Sequence, residues 1–220
     1  DHRFMKDVLP FLKDKRYIKI NDKPVLIIYR PHLFEKDRAR RLFNNFRKIA
    51  KKEGFPGLYL VAAKSHGFKD KPKDWGLDAV VEFPPHGLEG RVQEKKVEDF
   101  INPSFEGGIY NMKKYVEEKK YEDKTDYTLF RTVFPNWDNS PRKAYSGAGI
   151  YELNPSLYKK WLIEAIEYTK NNNSESENYV FINSWNEWAE GAYLEPDTRY
   201  GYGYLEATKT ALEEGGGING

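Results

Sequence analysis

The sequence contains no cysteine, no long apolar run and almost no net charge. Without cysteine, the 220-residue chain has no disulfide, no thiol nucleophile and no thiolate to offer a metal. Its apolar runs are all far shorter than the roughly 18 residues that indicate a membrane span. A formal charge of +2 gives no electrostatic reason to expect binding to nucleic acid. We therefore expect a globular protein, and a cytoplasmic one because no signal peptide is visible.

Motifs for metals and nucleotide cofactors are missing as well. The chain has four histidines, none of them at metal-ligand spacing: His2, His32, His66 and His86. The sequence contains neither the H-E-x-x-H pattern of zinc proteases nor a G-x-G-x-x-G or Walker pattern. The sequence thus predicts no metal site and no cofactor.

Five short apolar, β-branched or aromatic runs predict strands. They are Val25–Tyr29, Leu58–Ala62, Ala79–Phe83, Thr128–Phe134 and Tyr179–Asn183. Continuous rather than alternating apolarity is typical of parallel strands that are covered on both faces. The segments between them predict the helices Phe4–Leu12, Glu35–Glu53, Asn111–Lys120, Ser156–Lys170 and Gly203–Glu213. This alternation indicates an α/β fold with right-handed crossovers.

Two α/β architectures compete for this pattern. A doubly wound nucleotide-binding sheet normally has a glycine-rich turn after its first strand, but Tyr29-Arg30-Pro31-His32 follows here. Polar and aromatic residues instead gather after the carboxyl end of each strand, where a (β/α)8 TIM barrel builds its active site. Five strands do not close an eight-stranded barrel. We therefore predict the C-terminal five βα units of a (β/α)8 barrel, with three units missing before Asp1.

The domain prediction follows from that fold. Residues 1–220 are expected to form a single domain, in which residues 1–23 are a leading helix and its connection. Residues 215–220 are expected to be a flexible tail, because glycines cluster there. The long connection from Pro84 to Gly108 is predicted to be an elaborated loop that carries function.

The segment after the fifth predicted strand carries the strongest functional signal. It reads Asn183-Ser-Trp-Asn-Glu-Trp-Ala-Glu-Gly-Ala-Tyr-Leu-Glu195, and such a mixture of amides, carboxylates and indoles is suited to binding sugar. Glu187 and Glu190 are three residues apart, which gives a Cβ separation of about 5–6 Å if the turn is helical. A carboxylate pair about 5–5.5 Å apart suits a retaining glycosidase. The alternative is a solvated acidic turn without chemistry.

The neighbours of the two glutamates are candidate substrate ligands: Asn183, Trp185, Asn186, Trp188, Tyr193 and Glu195. The asparagines can bind sugar hydroxyl groups or cap the local turn. Either tryptophan can stack on a sugar ring, and one of the two is expected to pack beneath the site. Glu195 is expected to order the loop through Arg199, with substrate contact as the alternative.

Further candidates follow the earlier strands. Trp137, Asp138 and Arg142 come after the fourth strand, and Asp138 either binds a sugar hydroxyl or pairs with Arg142. Arg30, after the first strand, can meet an acidic or phosphorylated ligand or form an internal salt bridge. His66 and His86 lie on loops of the predicted catalytic face and are also candidate substrate contacts.

Three blocks of sequence resemble the WbsX family, whose members are usually labelled glycosyltransferases of lipopolysaccharide or O-antigen gene clusters. The blocks are Asp14–Pro31, Val133–Arg142 and Phe181–Glu206. The family is similar in turn to the endo-α-mannosidases of glycoside hydrolase family 99, which are (β/α)8 barrels. Those enzymes share an Asn-Glu-Trp-x-Glu-Gly motif, matched here by Asn186–Gly191, and a following Glu-Pro, matched by Glu195-Pro196. Ala189 stands where the mannosidases have histidine, which affects the expected specificity rather than the carboxylate pair.

The resemblance implies a role for each glutamate. Glu187 would be the base that removes the proton of the sugar 2-hydroxyl, so that cleavage passes through a 1,2-anhydrosugar with retention. Glu190 would be the acid that protonates the leaving oxygen and then activates water. The main prediction is therefore a glycoside hydrolase-like enzyme that acts on an oligosaccharide or polysaccharide.

Two other functions stay open. One is a WbsX-type transferase that uses a nucleotide-sugar or lipid-linked sugar donor, although the chain shows no nucleotide-binding loop and no Asp-x-Asp motif. The other is a glycan-binding domain that has lost its chemistry.

Overall fold

The computed structural model of the chain describes residues 2–88, 90–94, 104–120, 125–143 and 146–216. Its helices, in chain order, are α1 (His2–Leu12), α2 (Lys36–Lys52), α3 (Met112–Glu117), α4 (Ser140–Lys143), α5 (Pro155–Asn172) and α6 (Gly203–Gly216). Its first strands are β1 (Lys19–Ile20), β2 (Lys23–Ile28), β3 (Tyr59–Lys64), β4 (Ala79–Glu82), β5 (Gln93–Glu94) and β6 (Glu106–Asn111). The remaining strands are β7 (Leu129–Phe130), β8 (Thr132–Val133), β9 (Trp137–Asp138), β10 (Ser146–Glu152), β11 (Phe181–Ile182), β12 (Asn186–Glu187) and β13 (Ala192–Tyr193).

The fold is mixed α/β, and its described residues form two compact units. Unit 1 takes its residues from Asp1–Glu82, Thr125–Phe130 and Asn173–Asn178. Unit 2 takes its residues from Phe83–Lys124, Arg131–Asn172 and Tyr179–Gly220. Within the described ranges, no helix combines the length and the apolarity that crossing a membrane requires.

A five-stranded sheet forms the centre of unit 1, in the order β1-β2-β3-β4-β7. The strands β2, β3, β4 and β7 run parallel, and β1 pairs antiparallel with β2. Every residue from Leu58 to Ala63 is buried, as the continuous apolar run predicts for a strand covered on both faces. The predicted parallel α/β arrangement is confirmed in this unit.

The helix α2 covers this sheet and begins at a side-chain cap. The Glu35 carboxylate accepts hydrogen bonds from the backbone N–H groups of Asp37 and Arg38, which lack partners inside the helix. The buried residues of α2 are Ala39, Phe43, Phe46 and Ala50. Leu42 and Ile49, on the adjoining positions of the helix, are partly buried and pack against the same core.

Unit 2 contains three smaller sheets. A four-stranded sheet has the order β5-β6-β10-β9, β11 pairs parallel with β8, and β12 pairs antiparallel with β13. The long helices α5 and α6 pack against each other, and Trp161, Leu162 and Tyr204 are buried in the core of this unit. Asn154 starts α5, because its side-chain oxygen accepts a hydrogen bond from the Leu157 N–H at 2.9 Å.

All five predicted helices and four of the five predicted strands are present, with ends that differ by a few residues. The fourth predicted strand, Thr128–Phe134, is divided at Arg131 into β7 and β8, which belong to different sheets. The four-stranded sheet of unit 2 was not predicted, because its strands are rich in glycine and polar residues. One of them, β5, lies in the stretch predicted to be a loop from Pro84 to Gly108, and another, β6, begins in it. Of the predicted tail, α6 includes Gly215 and Gly216, while residues 217–220 lie outside the described residues.

Candidate functional site

The two glutamates lie on a short hairpin, residues 186–193, called here the glutamate turn. Glu187 ends β12, and the 3₁₀ turn Trp188–Glu190 follows it. The geometry is therefore a strand followed by a 3₁₀ turn, not the α-helical turn on which the predicted Cβ separation depended. Glu187 directly precedes this turn and Glu190 is its last residue, and the negative charge of Glu187 acts on the Glu190 carboxyl.

Ser184 fastens the base of the glutamate turn. Its hydroxyl oxygen donates to the Ala192 carbonyl at 2.8 Å and accepts from the Glu187 N–H at 3.1 Å. One side chain thereby ties both strands of the hairpin together, and the backbone next to Glu187 is held in place.

Gly191 lets the glutamate turn pack closely against β9. Its φ of +59° lies in the left-handed region, which glycine adopts at little cost. A Cβ at this position would lie 2.9 Å from the backbone nitrogen of Asp138. Both the backbone conformation and the close approach therefore require glycine here.

Arg142, from α4, reaches the carboxylate of Glu190. Its Nη1 donates to Glu190 Oε1 at 2.6 Å, and the Glu190 side chain is 24% exposed. Burial raises the pKa of the Glu190 carboxyl above its ordinary value, although the positive charge of Arg142 opposes the rise. The negative charge of Glu187 adds to it. A carboxyl whose pKa is raised keeps its proton to higher pH, which is what a general acid needs.

Trp188 lies between the two glutamates in sequence, and two contacts fix the position of its ring. Its ring stacks on Tyr193 with 3.7 Å between ring centroids, and its Nε1 donates to Glu195 Oε2 at 2.6 Å. Glu195 thus orders the loop through Trp188. The predicted pairing of Glu195 with Arg199 is wrong, because no ion pair joins these two described residues and the Arg199 guanidinium lies over the Tyr200 ring instead.

Neither tryptophan packs beneath the turn, so that expectation is also wrong. Trp185 is 54% exposed and Trp188 is 48% exposed, which leaves both indoles available to a ligand. Asn186 is exposed on β12, opposite Tyr193. Asn183 is half-buried, and its Nδ2 donates to the Pro84 carbonyl at 3.0 Å, so this amide holds the loop after β4.

The candidates after the fourth predicted strand have separate roles. Asp138 caps α4 by accepting from the Ser140 N–H at 2.9 Å, whereas Arg142 pairs with Glu190 rather than with Asp138. Trp137 is 7% exposed, and together with His86 it lines a cavity in unit 2. Sequence reasoning missed the Arg142–Glu190 pair, since 48 residues separate the two and no local pattern links them.

Arg30 and His66 lie together in unit 1. The Arg30 Nη2 makes a short hydrogen bond with His66 Nε2, and the Arg30 guanidinium lies 5.4 Å from the centre of the Tyr29 ring. The Nε of Arg30 is buried and has no partner among the described residues. The structure thus brings this pair together, and it brings the glutamates together with Arg142, Trp188, Tyr193 and Glu195 in unit 2.

The fold resembles that of glycoside hydrolases of known structure. A glycoside hydrolase-like protein aligns with a TM-score of 0.62 at 19% identity, over 97% of this chain and 60% of that one. A GH99 endo-alpha-mannosidase from Bacteroides thetaiotaomicron aligns with a TM-score of 0.59 at 14% identity, over 97% and 64% of the two chains. At these identities the likeness shows the fold alone.

Comparison with known sequences gives curated relatives and a match to the WbsX family, which the motifs resemble. The uncharacterized protein WxcX of Xanthomonas campestris pv. campestris is 35% identical over 214 residues, which are 96% of this chain and 30% of that protein. The chain thus spans less than a third of this curated relative. The glycosyltransferase WbsX family matches residues 1–208, so both parts of the resemblance drawn from the motifs are confirmed. The chain belongs to the WbsX glycosyltransferase family.

Proposed function

We propose that this chain is the C-terminal portion of a (β/α)8 barrel that acts on glycosidic bonds with retention of configuration. The barrel is supported by the parallel order of β2, β3, β4 and β7 in unit 1 and by the parallel pair of β8 and β11 in unit 2. The five βα units begin at the five predicted strands. The remaining strands belong to the longer protein that the relatives represent.

One observation carries the catalytic part of the proposal. The Glu190 side chain is 24% exposed, burial raises the pKa of its carboxyl, and Glu187 stands three residues before it in the glutamate turn. Two neighbouring carboxyl groups with different surroundings are the arrangement that divides acid and base roles. Glu190 is the acid and Glu187 is the base.

The reaction proceeds in two steps. Glu187 removes the proton of the sugar 2-hydroxyl, the resulting oxygen attacks the anomeric carbon, and the leaving oxygen takes its proton from Glu190. Glu190 then accepts a proton from water, which opens the 1,2-anhydrosugar at the anomeric carbon, while Glu187 returns its proton to the 2-oxygen. Two inversions at one carbon give net retention.

The other predicted ligands remain part of the proposal, and two of them, Arg30 and His66, belong to unit 1. Trp185 and Trp188 offer exposed ring faces, and Asn186 offers an exposed amide. The remaining proposed substrate ligands are Asn183, Tyr193, Glu195, Trp137, Asp138, Arg142, Arg30, His66 and His86. Asn183, Glu195 and Arg142 also make hydrogen bonds within the protein, which help to hold the site in place.

The test is a comparison of wild type with Glu190→Gln in the full-length protein. Both are incubated with α-mannan and a panel of glycans, and separately with nucleotide sugars and an acceptor glycan. We expect wild type to release oligosaccharide and the variant to lose about 10²- to 10⁴-fold in rate, the usual contribution of a general acid. Glu213→Gln, an exposed carboxylate on α6, is the matched control and should keep full activity. Oligosaccharide release by Glu190→Gln at the wild-type rate would contradict the proposal.

The second candidate is a transferase that builds a cell-surface polysaccharide. The family to which the chain belongs is described as glycosyltransferase WbsX. The same two carboxylates would then act on a nucleotide-sugar or lipid-linked donor. Transfer from an activated donor without hydrolysis of any glycan supports this candidate, whereas glycan binding without turnover indicates a binding domain. Fractionation of the producing cells tests the predicted cytoplasmic location.

A further inference from the structure

Three aromatic residues lie in register across the four-stranded sheet of unit 2. Tyr110 of β6 is directly opposite Tyr151 of β10, and Tyr151 is directly opposite Trp137 of β9. Directly opposite residues project from the same face of a sheet. The two tyrosine rings stack with centroids 4.7 Å apart and an angle of 23° between them. The result is an aromatic row across three strands, in which the two tyrosine rings are stacked.

Glycines beside this row allow the rings to lie down on the sheet. Gly108 is opposite Gly149 in the same pair of strands. A Cβ at Gly108 would overlap the Tyr110 ring, and a Cβ at Gly149 would lie 3.0 Å from Cε2 of Tyr151. Larger residues would lift both rings off the strands, so the glycines keep the two tyrosine rings close to the strands.

A cavity of about 330 Å³ opens along the aromatic row. Small-molecule sites occupy roughly 300–1,000 Å³, so this cavity is at the lower limit and suits a single sugar unit. Besides the aromatic row, its walls include His86, Asn139 and the exposed Glu106. Aromatic faces with a few polar groups are the composition that recognises a pyranose ring, because the ring has apolar faces and a hydroxyl rim.

Trp137 has a polar group that lacks a partner. Its indole N–H is buried, and no acceptor for it exists among the described residues. A buried donor without an acceptor costs free energy, and each such group in a native protein calls for an explanation. A hydroxyl oxygen of a ligand in the adjoining cavity is an acceptor of the required kind.

The cavity is linked to the glutamate turn through β9. Trp137 lines the cavity, and the backbone of the next residue, Asp138, is the surface against which Gly191 packs. The same chain then continues into α4, which supplies Arg142 to Glu190. One short strand, β9, therefore contributes both to the cavity and to the packing of the glutamate turn, within the same unit.

We propose that the cavity along Tyr110, Tyr151 and Trp137 is a second sugar subsite, which holds a glycan unit other than the one whose bond is cleaved. This inference rests on the proposed action on glycans. It predicts that the aromatic row governs the binding of the glycan and leaves the proton chemistry of Glu190 unchanged.

The experiment measures α-mannotetraose binding by calorimetry in the full-length protein with Glu190→Gln, so that no substrate is consumed. Tyr110→Ala should weaken binding about tenfold or more, a loss typical of one good contact. Tyr168→Ala is the matched control, because Tyr168 is also half-buried in unit 2 but does not line the cavity. Tyr168 lies on α5, where the Arg131 guanidinium stacks on its ring. This control variant should bind like the parent.

Trp137→Phe separates binding from folding. The variant keeps an aromatic wall and removes only a donor that has no partner in the free protein. We therefore expect an unchanged melting temperature together with binding that is about threefold to tenfold weaker. A melting temperature that falls while affinity is kept would overturn the inference.

The outcomes for the subsite and for the reaction are distinct. Binding that depends on Tyr110 and Trp137 in a protein without hydrolysis or transfer supports the subsite and removes the proposed reaction. Cleavage that depends on Glu190, with tetraose affinity unaffected by Tyr110→Ala and Trp137→Phe, supports the reaction and removes the subsite. A parent protein that does not bind the tetraose at all also removes the subsite.

Discussion

The sheet of unit 1 and the glutamate turn of unit 2 are stabilised in opposite ways. In unit 1, Leu60 and its neighbours in β3 are completely buried, so the strand is stabilised by apolar contact on both faces. In the glutamate turn, Glu187 and Trp188 are exposed, as is Trp185 just before it, and the backbone is held by Ser184 and by the packing of Gly191 on Asp138. The stability of the first region is therefore sensitive to changes in side-chain volume. The conformation of the second region depends on a few hydrogen bonds and on one close backbone contact.

The largest expected effect on stability comes from the sheet. Leu60→Ala removes a side chain that is 0% exposed and leaves a cavity, which should lower the free energy of unfolding by about 2–5 kcal/mol. Denaturant unfolding of the purified protein measures this change. Leu33→Ala is the control, because Leu33 is 70% exposed in the same unit and should cost little. Equal losses for the two variants would contradict the comparison.

Gly191→Ala tests the close approach in the glutamate turn. An L-residue at φ +59° costs about 1–2 kcal/mol, and the contact with Asp138 should add roughly 1–3 kcal/mol of overpacking. Gly201→Ala is a matched control, because Gly201 has a φ of +56° and no atom lies within 4 Å of the position that its Cβ would take. Thermal unfolding should show the larger loss for Gly191→Ala, and glycan cleavage should fall only in that variant.

Arg142→Gln tests how Glu190 is tuned. Loss of the cation removes the influence that lowers the pKa of Glu190, so the pKa rises further. If Glu190 acts when protonated, activity declines as pH rises through this pKa. The declining limb of the pH profile should therefore move to higher pH, with about a tenfold loss in kcat from poorer positioning. Arg142→Lys keeps the positive charge and should leave the declining limb close to its wild-type pH. If the limb stays at the same pH in Arg142→Gln as well, Glu190 is not the titrating acid.

The smallest expected effect comes from one hydrogen bond. Trp188→Phe removes the Nε1 donor to Glu195 and keeps a ring to stack on Tyr193. We expect a loss of about 0.5–1.5 kcal/mol in the free energy of unfolding, the usual net value of one hydrogen bond. Trp185→Phe, at a similarly exposed indole, gives the reference value for the substitution. A difference near zero would mean that Glu195 orders the loop without help from Trp188.

Sequence patterns predicted the strands of unit 1 well because each strand is a local run of apolar residues. The same reasoning missed β6 and β10, where Gly107, Gly108 and Gly149 interrupt the apolar pattern. These strands form because paired backbones and stacked aromatic rings compensate for weak local propensity. Strand propensity reflects packing with neighbours, and a linear pattern does not show those neighbours.

The candidate site divides in the same way. Residue types and spacing on the printed sequence were enough to select Glu187, Glu190 and the tryptophans beside them. They did not reveal that Arg142 pairs with Glu190, that Glu195 binds Trp188, or that both indoles are exposed. Each of these depends on where two chain segments meet.

The sequence by itself determined the family, the α/β class and the residue types of the glutamate turn, because these are encoded in short contiguous stretches. Only the tertiary structure decided which partner each of these residues has and how deeply each is buried. Burial raises the pKa of Glu190 and the charge of Arg142 lowers it, and Arg142 lies 48 residues away in the chain. The aromatic row of Tyr110, Tyr151 and Trp137 has the same origin, since strand register alone brings its three members together.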